Sequence, residues 1–402
     1  MLSVAEARER VLGAVTPLEV VELPVADALG YGLAEDVFAP HDLPRFANSA
    51  MDGYAVRAQD TDPAPVELEL AGEVRAGTAG AVAVGPGTAV RIMTGAPLPP
   101  GADAVVELEV TEEHGGRVLV HEPVTPGRHV RPAGDDLRQG DPAVAAGAEL
   151  GPGELALLAA LGRSPVRVHR RPRVALLVTG DELVDPEAEA GPGQVRDSNT
   201  VALKGLVAES GGEVVFARRV GDSLEDTVDA LSAAAAAADL MVSSGGVAVG
   251  RYDFVKEAVE RLGRIDLWRV AMQPGKPVVL GEVGGTPLLA LPGNPVSIHV
   301  GFEQFVRPAL RKMRGLAELL RPEVRARLTR SLDKRPGRLH FVRVRLELGP
   351  EGFLATPTGP QGSHIQSSLV GCHGLARFDA ALTRLDPGAE VTVEVWRLPG
   401  GP

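Results

Sequence analysis

The sequence predicts a multidomain α/β protein built around one doubly wound parallel sheet, and three observations carry that prediction. The first is length, since 402 residues exceed what one ordinary core organises. The second is the alternation over 172–315, where the apolar runs RVALLVTG, EVVFARRVGD, DLMVSSGG and PLLALPGNP are separated by helical segments. Strands apolar throughout are buried on both faces and joined by crossover helices, which makes their sheet parallel. The third is the contrast on either side: short Val-rich runs broken by Pro and Gly, which read as small β domains.

Each element has a local reason. Ser3 and Glu6 form a capping box, and Ala7, Val11, Leu12 and Val15 recur on one helical face, so the chain begins with a short helix. From about 20 to 150, runs such as PVELELAGEV, GTAVRIMTG and DAVVELEV predict small antiparallel pieces. GPGELALLAALG (151–162) reads as a helix and SPVRVHRRP as a connector. Within the α/β region TVALKGLVAESGG, SLEDTVDALSAAAAAA and DFVKEAVERLG are helical, the second opened by Ser223 as N-cap. VSIHVGFEQFVRPALRKMRG closes the region as a long helix, and RLHFVRVRLEL and GAEVTVEVW return to strand alternation.

Composition narrows the function. A net charge of -12 argues against a nucleic-acid partner, which requires clustered Lys and Arg. The single cysteine, Cys372, forms no internal disulfide, and no Cys/His spacing suggests zinc. No stretch of apolar residues is long enough to span a bilayer, so a cytoplasmic protein without membrane contact is expected.

In an open parallel sheet, ligands bind beyond the carboxyl ends of the strands. Those ends carry Asp181–Glu182, Asp222 and, after a glycine loop, Asp253. Asp222 and Asp253 read equally as helix caps favoured by the dipole or as ligands of a hard cation such as Mg²⁺. Ser243, Ser244, Gly245 and Gly246 supply hydroxyls and open amides, a pattern that suits phosphate but matches neither the Walker nor the dinucleotide motif. Lys276 stands in PGKP between stiffening prolines, and LPGNP places Pro292 and Pro295 as a wall. In the N-terminal half, Asp52 (NSAMDGYAV), Thr94 (RIMTGAPLP) and Asp135–Asp136 (RPAGDDLRQG) each read singly as turn residues, Asp-Gly because glycine accepts positive φ.

Taken in order, NSAMDGYAV, RIMTGAPLPPGADAVV, RPAGDDLRQG, LLVTGDELV, SSGGVAVGRYDF, PGKP and LPGNPVS resemble the molybdopterin molybdotransferase family, the MoeA and gephyrin type. The resemblance runs from the first helix to QGSHIQSSL. It implies an elongated N-terminal linker region (1–170) with an inserted β domain (about 21–136), a molybdopterin-binding α/β domain (171–317) and a C-terminal β domain (318–402). It implies a homodimer with a shared cleft, insertion of molybdate into adenylylated molybdopterin with Mg²⁺ assistance, and an upstream adenylyltransferase that supplies the substrate. Carried over, Asp52, Thr94, Asp136, Glu182 and Lys276 serve catalysis. Pro292 and Pro295, also carried over, are expected to bind substrate together with Asp181, Ser243, Gly245 and Gly246, which the chemistry of their loops suggests, and the carried-over Asp222 and Asp253 are the metal candidates. One departure stands out: where many relatives carry lysine before the PGK turn, this chain has Gln273. The competing expectations are a molybdopterin adenylyltransferase, which resembles the α/β domain alone, and a non-catalytic gephyrin-like scaffold.

Overall fold

The computed structural model describes residues 1–77, 82–221, 223–245 and 254–398. Helix α1 (Val4–Gly13) starts as its sequence predicts: Ser3 Oγ accepts the Glu6 N–H at 3.2 Å and Glu6 accepts the Ser3 N–H at 2.7 Å. Its buried Val4, Ala7 and Val11 join the core of the central domain, beside Phe302, Phe305 and Val306. The first helix of the chain therefore completes a core formed mostly by residues some 300 positions later.

The run 164–172 is more than a connector. Val166–His169 is a strand pairing antiparallel with both Val20–Leu23 and Gly32–Leu33. Val166 and Val168 are buried and Arg167 is exposed, a two-residue period too short, among arginines, to announce itself. Helix α2 (Pro152–Ala160) precedes it, with Glu154 accepting the Gly151 N–H at 3.0 Å.

The inserted β region forms a six-stranded sheet in the order Ala104–Glu107, Gly53–Val56, Thr88–Ile92, Val66–Val74, Arg117–Val120, Thr111–His114. It is antiparallel except that Val66–Val74 runs parallel to Thr88–Ile92, since a crossover rather than a tight hairpin joins them.

In the central sheet, Glu213–Val220, Arg173–Thr179, Leu240–Ser244 and Thr286–Leu291 lie parallel in that order. Successive residues of one strand serve opposite faces: Val174 and Leu176 enter one core, Ala175 and Leu177 the other. The first face is covered by α3 (Ser198–Glu209) together with α6 (Pro295–Gly301) and α7 (Arg307–Met313); the second by α4 (Leu224–Ala237) and α5 (Phe254–Leu262). Ser223 caps α4 through the Asp226 N–H. Two antiparallel strands that the sequence reading lacked, Pro277–Val283 and Gly263–Arg269, extend one edge. Gly284 and Gly285, both at positive φ (57° and 87°), make the hairpin turn that reverses the chain, so a Gly-Gly pair between apolar runs was the available signal.

The predicted closing helix is interrupted by one π turn, Phe302–Val306, between α6 and α7. Pro308 has no N–H to give the carbonyl four residues back; that carbonyl, of Gln304, accepts Arg8 Nε of α1 at 3.1 Å instead. The C-terminal strands Leu339–Gly349, Gly352–Pro357, Glu323–Leu328, Glu390–Val395 and Gly374–Phe378 close on themselves, because Leu339–Gly349 also pairs with Gly374–Phe378. The result is a small barrel around Val342, Val344, Leu346 and Val393.

Candidate active site

A cavity of about 490 Å³ opens at the carboxyl ends of the parallel strands, where the α/β domain meets the barrel. Gly245 follows Leu240–Ser244, and Pro292, Gly293 and Asn294 follow Thr286–Leu291, so the sheet contributes two neighbouring loops. A Cβ on Gly293 would lie 3.7 Å from the Gly245 Cα, and the two glycines bring bare backbone to the cavity floor. Gln273, Gly275 and Lys276 form a second wall. That loop is closed by the Val270 N–H donating to the Lys276 carbonyl at 2.8 Å and fastened to the barrel by the parallel pairing of Met272–Gln273 with Leu339–His340. The barrel supplies the third wall: Arg338, Gln361, Gly362 and Ser363. Lys276 and Arg338 thus bring two cations to a space floored by open backbone, an arrangement suited to phosphate or another oxyanion.

Of the residues picked out from sequence, Gly245, Lys276 and Pro292 line this cavity. Ser243 does not open into it. It is wholly buried and its hydroxyl donates to the Gly245 carbonyl at 3.1 Å, because this strand is central in a sheet covered on both faces and is buried throughout Leu240–Ser244; it shapes the loop rather than presenting a hydroxyl. Pro295 starts α6 and stands behind the lining residues. Asp181 and the exposed Glu182 follow Arg173–Thr179 as the spacing requires, with Gly180 at φ 143° beneath the Glu182 carboxylate. Gly246, Asp222 and Asp253 lie outside the described residues. Among the described residues no cluster of His, Cys, Asp and Glu could hold a metal.

Asp52 and Thr94 come together in the N-terminal β region. Asp52 Oδ1 accepts the Thr94 N–H at 2.6 Å and the Thr94 hydroxyl at 2.8 Å. The backbone amide of Thr94, then its hydroxyl, hold this exposed carboxyl below the usual carboxylate range. The glycine beside it serves a different purpose from the expected one. Gly53 begins a strand, and a Cβ there would stand 1.9 Å from the Val106 carbonyl, so close strand approach, not positive φ, demands glycine. Asp136 is exposed on the segment whose Leu137 bridges Leu43, alongside the chain leading to Asp52. Asp52, Thr94 and Asp136 are absent from the lining of the 490 Å³ cavity.

Several participants escaped sequence reasoning. Arg338, Gln361 and Ser363 belong to a domain that reads as plain β alternation, and the signal was the polar QGS step between Pro360 and His364. Asn199, in the first turn of α3, donates to Ser244 Oγ at 3.1 Å and to the Gly293 carbonyl at 2.8 Å, tying both sheet loops together. Asn199→Ala is expected to cost about 1–2 kcal/mol of stability, the worth of two neutral hydrogen bonds, and to speed amide exchange at Gly245 and Gly293. Unchanged exchange at both would remove this role. Cys372 is buried, its thiol pushed up to about 11 by burial, which is no nucleophile's environment.

Three family models match the chain in order: "MoeA N-terminal region (domain I and II)" over residues 2–162, "Probable molybdopterin binding domain" over 175–312, and "MoeA C-terminal region (domain IV)" over 325–396. The chain is 38% identical to Molybdopterin molybdenumtransferase 2 of Mycobacterium tuberculosis, across 99% of this chain and 100% of that one. It is 36% identical to Molybdopterin molybdenumtransferase of Haemophilus influenzae, across 98% of each. The crystal structure of a molybdopterin biosynthesis MoeA protein from Pyrococcus horikoshii matches with a TM-score of 0.83 at 35% identity, across 99% of both chains.

Proposed function

This chain belongs to the MoeA family of molybdopterin molybdenumtransferases, and from that membership we propose that it inserts molybdate into adenylylated molybdopterin, releasing AMP and the molybdenum cofactor. The observation that supports this reaction is the cation-walled cavity at the strand ends, with Lys276 and Arg338 opposite the bare Gly245–Gly293 floor. Such a site fits the phosphates of the pterin substrate and a tetrahedral oxyanion beside them.

In the step proposed, an oxygen of molybdate, or a water beside it, attacks phosphorus in the phosphoanhydride; the bridging P–O bond breaks and AMP departs with its electron pair. The two dithiolene thiols of the substrate take up the metal: two Mo–S bonds form, one Mo–O bond breaks, and that oxygen leaves as water with the thiol protons or stays on the phosphate it attacked. Lys276 and Arg338 stabilise charge that develops on the phosphate oxygens. Gly245 and Pro292 shape the floor and wall, Asp181 and Glu182 border the strand ends, and Asp52, with Thr94 and Asp136, orients the attacking oxygen. These last three come from the partner subunit of a homodimer in this proposal, since the chain's own cavity lacks them. Magnesium, held by Asp222 and Asp253, would neutralise phosphate charge.

The substrate would reach this chain from an adenylyltransferase acting on molybdopterin, and both would work in the cytoplasm; no described helix is long and apolar enough to cross a membrane. Full-length similarity to molybdenumtransferases favours this activity over adenylylation or a scaffold role. The test is AMP release from purified protein given adenylylated molybdopterin, magnesium and molybdate. AMP formation that requires molybdate is expected, and its absence would overturn the proposal.

A further inference from the structure

We infer that a second cavity, of about 360 Å³, is a binding site for a small amphipathic carboxylate, and that the elements it shares with the oxyanion cavity couple the two. Its occupancy can be read without the molybdate reaction, so the site stands whatever the first cavity binds.

The cavity lies where α3 and the closing helix meet the C-terminal domain. Leu206 and Glu209 come from α3, His299 from α6 and Glu303 from the π turn after it. Leu369, Trp396 and Arg397 face them from the other domain. Each of these elements also serves the first cavity. Ser297 lines the first cavity and His299, two residues on, lines the second. The first turn of α3 carries Asn199, which ties Ser244 to Gly293. The wall at Gln361–Ser363 leads into the 3-10 turn Gln366–Leu369, and Gln366 Nε2 fastens that turn to α3 through Ser198 Oγ at 2.7 Å.

Charge around the second cavity leaves one cation over. Arg321 donates to both Glu303 oxygens at 3.0 Å and to Glu209 at 2.8 Å, and Arg307 stands 4.0 Å from Glu303, so two guanidinium groups match the two carboxylates. Arg397 is exposed, its Nε donates to the Cys372 carbonyl at 3.2 Å, and no carboxylate among the described residues pairs with it. The His299 and Trp396 rings lie beside each other, centroids 6.5 Å apart. Trp396 Nε1 can only donate, and it is buried with no acceptor among the described residues. His299 Nδ1 is likewise buried without a hydrogen bond of good geometry. Burial lowers the pKa of that ring against the opposing influence of the Pro295 carbonyl and of Glu303 and Glu209, which leaves it uncharged at neutral pH. These residues form no metal-holding cluster. An unsatisfied buried donor and an unpaired guanidinium call for a charged acceptor, and Leu206 and Leu369 for an apolar body attached to it. The space equals about a dozen water volumes, which suits an aryl or alkyl carboxylic acid.

Sodium phenylpropionate titrated into the isotope-labelled whole protein tests this, followed by magnetic resonance on the indole N–H signals of its two tryptophans. Trp396→Phe assigns the two signals, or Trp268→Phe if the first variant does not fold. The Trp396 signal is expected to move with a Kd of roughly a millimolar or tighter while that of Trp268 stays, and amide exchange over 361–363 should slow on binding. Phenylpropylamine, the same body with the opposite charge, should leave the Trp396 signal in place. Arg397→Met, a change at an exposed position whose folding is checked by thermal melting, is expected to weaken phenylpropionate binding by roughly tenfold. A Trp396 signal unmoved by the acid, an equal response to the amine, or wild-type affinity in Arg397→Met each overturns the carboxylate site. Binding that leaves exchange over 361–363 unchanged overturns the coupling to the first cavity.

Discussion

Asp52→Asn is expected to lower kcat by about 10²–10³-fold, the scale on which one electrostatic group aimed at developing charge contributes, while thermal stability stays nearly constant. The substitution isolates charge from shape. Asn keeps a carbonyl oxygen where Asp52 Oδ1 accepts the two Thr94 donors, so the turn persists and only the negative charge is lost. Because those donors lower the carboxyl's pKa, the group is ionised throughout the neutral range, and activity there should show no titration step from Asp52. The sign for stability follows: a depressed folded-state pKa contributes stability above the unfolded value, lost as pH falls through the folded one. A melting temperature that collapses along with activity would return Asp52 to a purely structural role.

Lys276→Ala should weaken oxyanion and pterin-phosphate binding by roughly 10–100-fold, the equivalent of losing one charge-assisted hydrogen bond of about 1.5–3 kcal/mol. The effect should fall on KM more than on kcat, and binding should lose part of its salt dependence. Wild-type affinity in the variant would locate the anion elsewhere. The two variants together examine the shared cleft. Co-expressed at equal levels, Asp52→Asn and Lys276→Ala chains should regain about a quarter of wild-type activity, since half the dimers then hold one intact cleft. No recovery would place both residues in a cleft formed within one chain.

Much of this was legible from the sequence because the signals are short-range. The Ser3–Glu6 box and the Ser223 cap are decided within four residues, and both form as expected. Apolar runs alternating with helices specify parallel strands, and parallel strands specify the edge at which loops such as that of Gly245 and that of Pro292 must gather. Where pattern misled, the deciding neighbour was distant. Ser243 looks available in a Ser-Ser-Gly-Gly loop, but helices cover both faces of the sheet and bury it, and its hydroxyl turns to Gly245. Gly53 looks like a turn glycine, but the Val106 carbonyl occupies the space of its Cβ.

The sequence by itself determined the succession of elements, the family motifs and the chemistry of most candidate residues, for those depend on periodicity, caps and residue type. Only the tertiary structure decided that α1 packs into the central core, that Asp52 is held by Thr94, and that Arg338 and Gln361 complete a cavity begun by Gly245 and Lys276. The physical reason is separation along the chain. Walls contributed from positions 245, 276, 292, 338 and 361 meet because the sheet and barrel pack against each other, and no local pattern at any of those positions encodes the residue it will face.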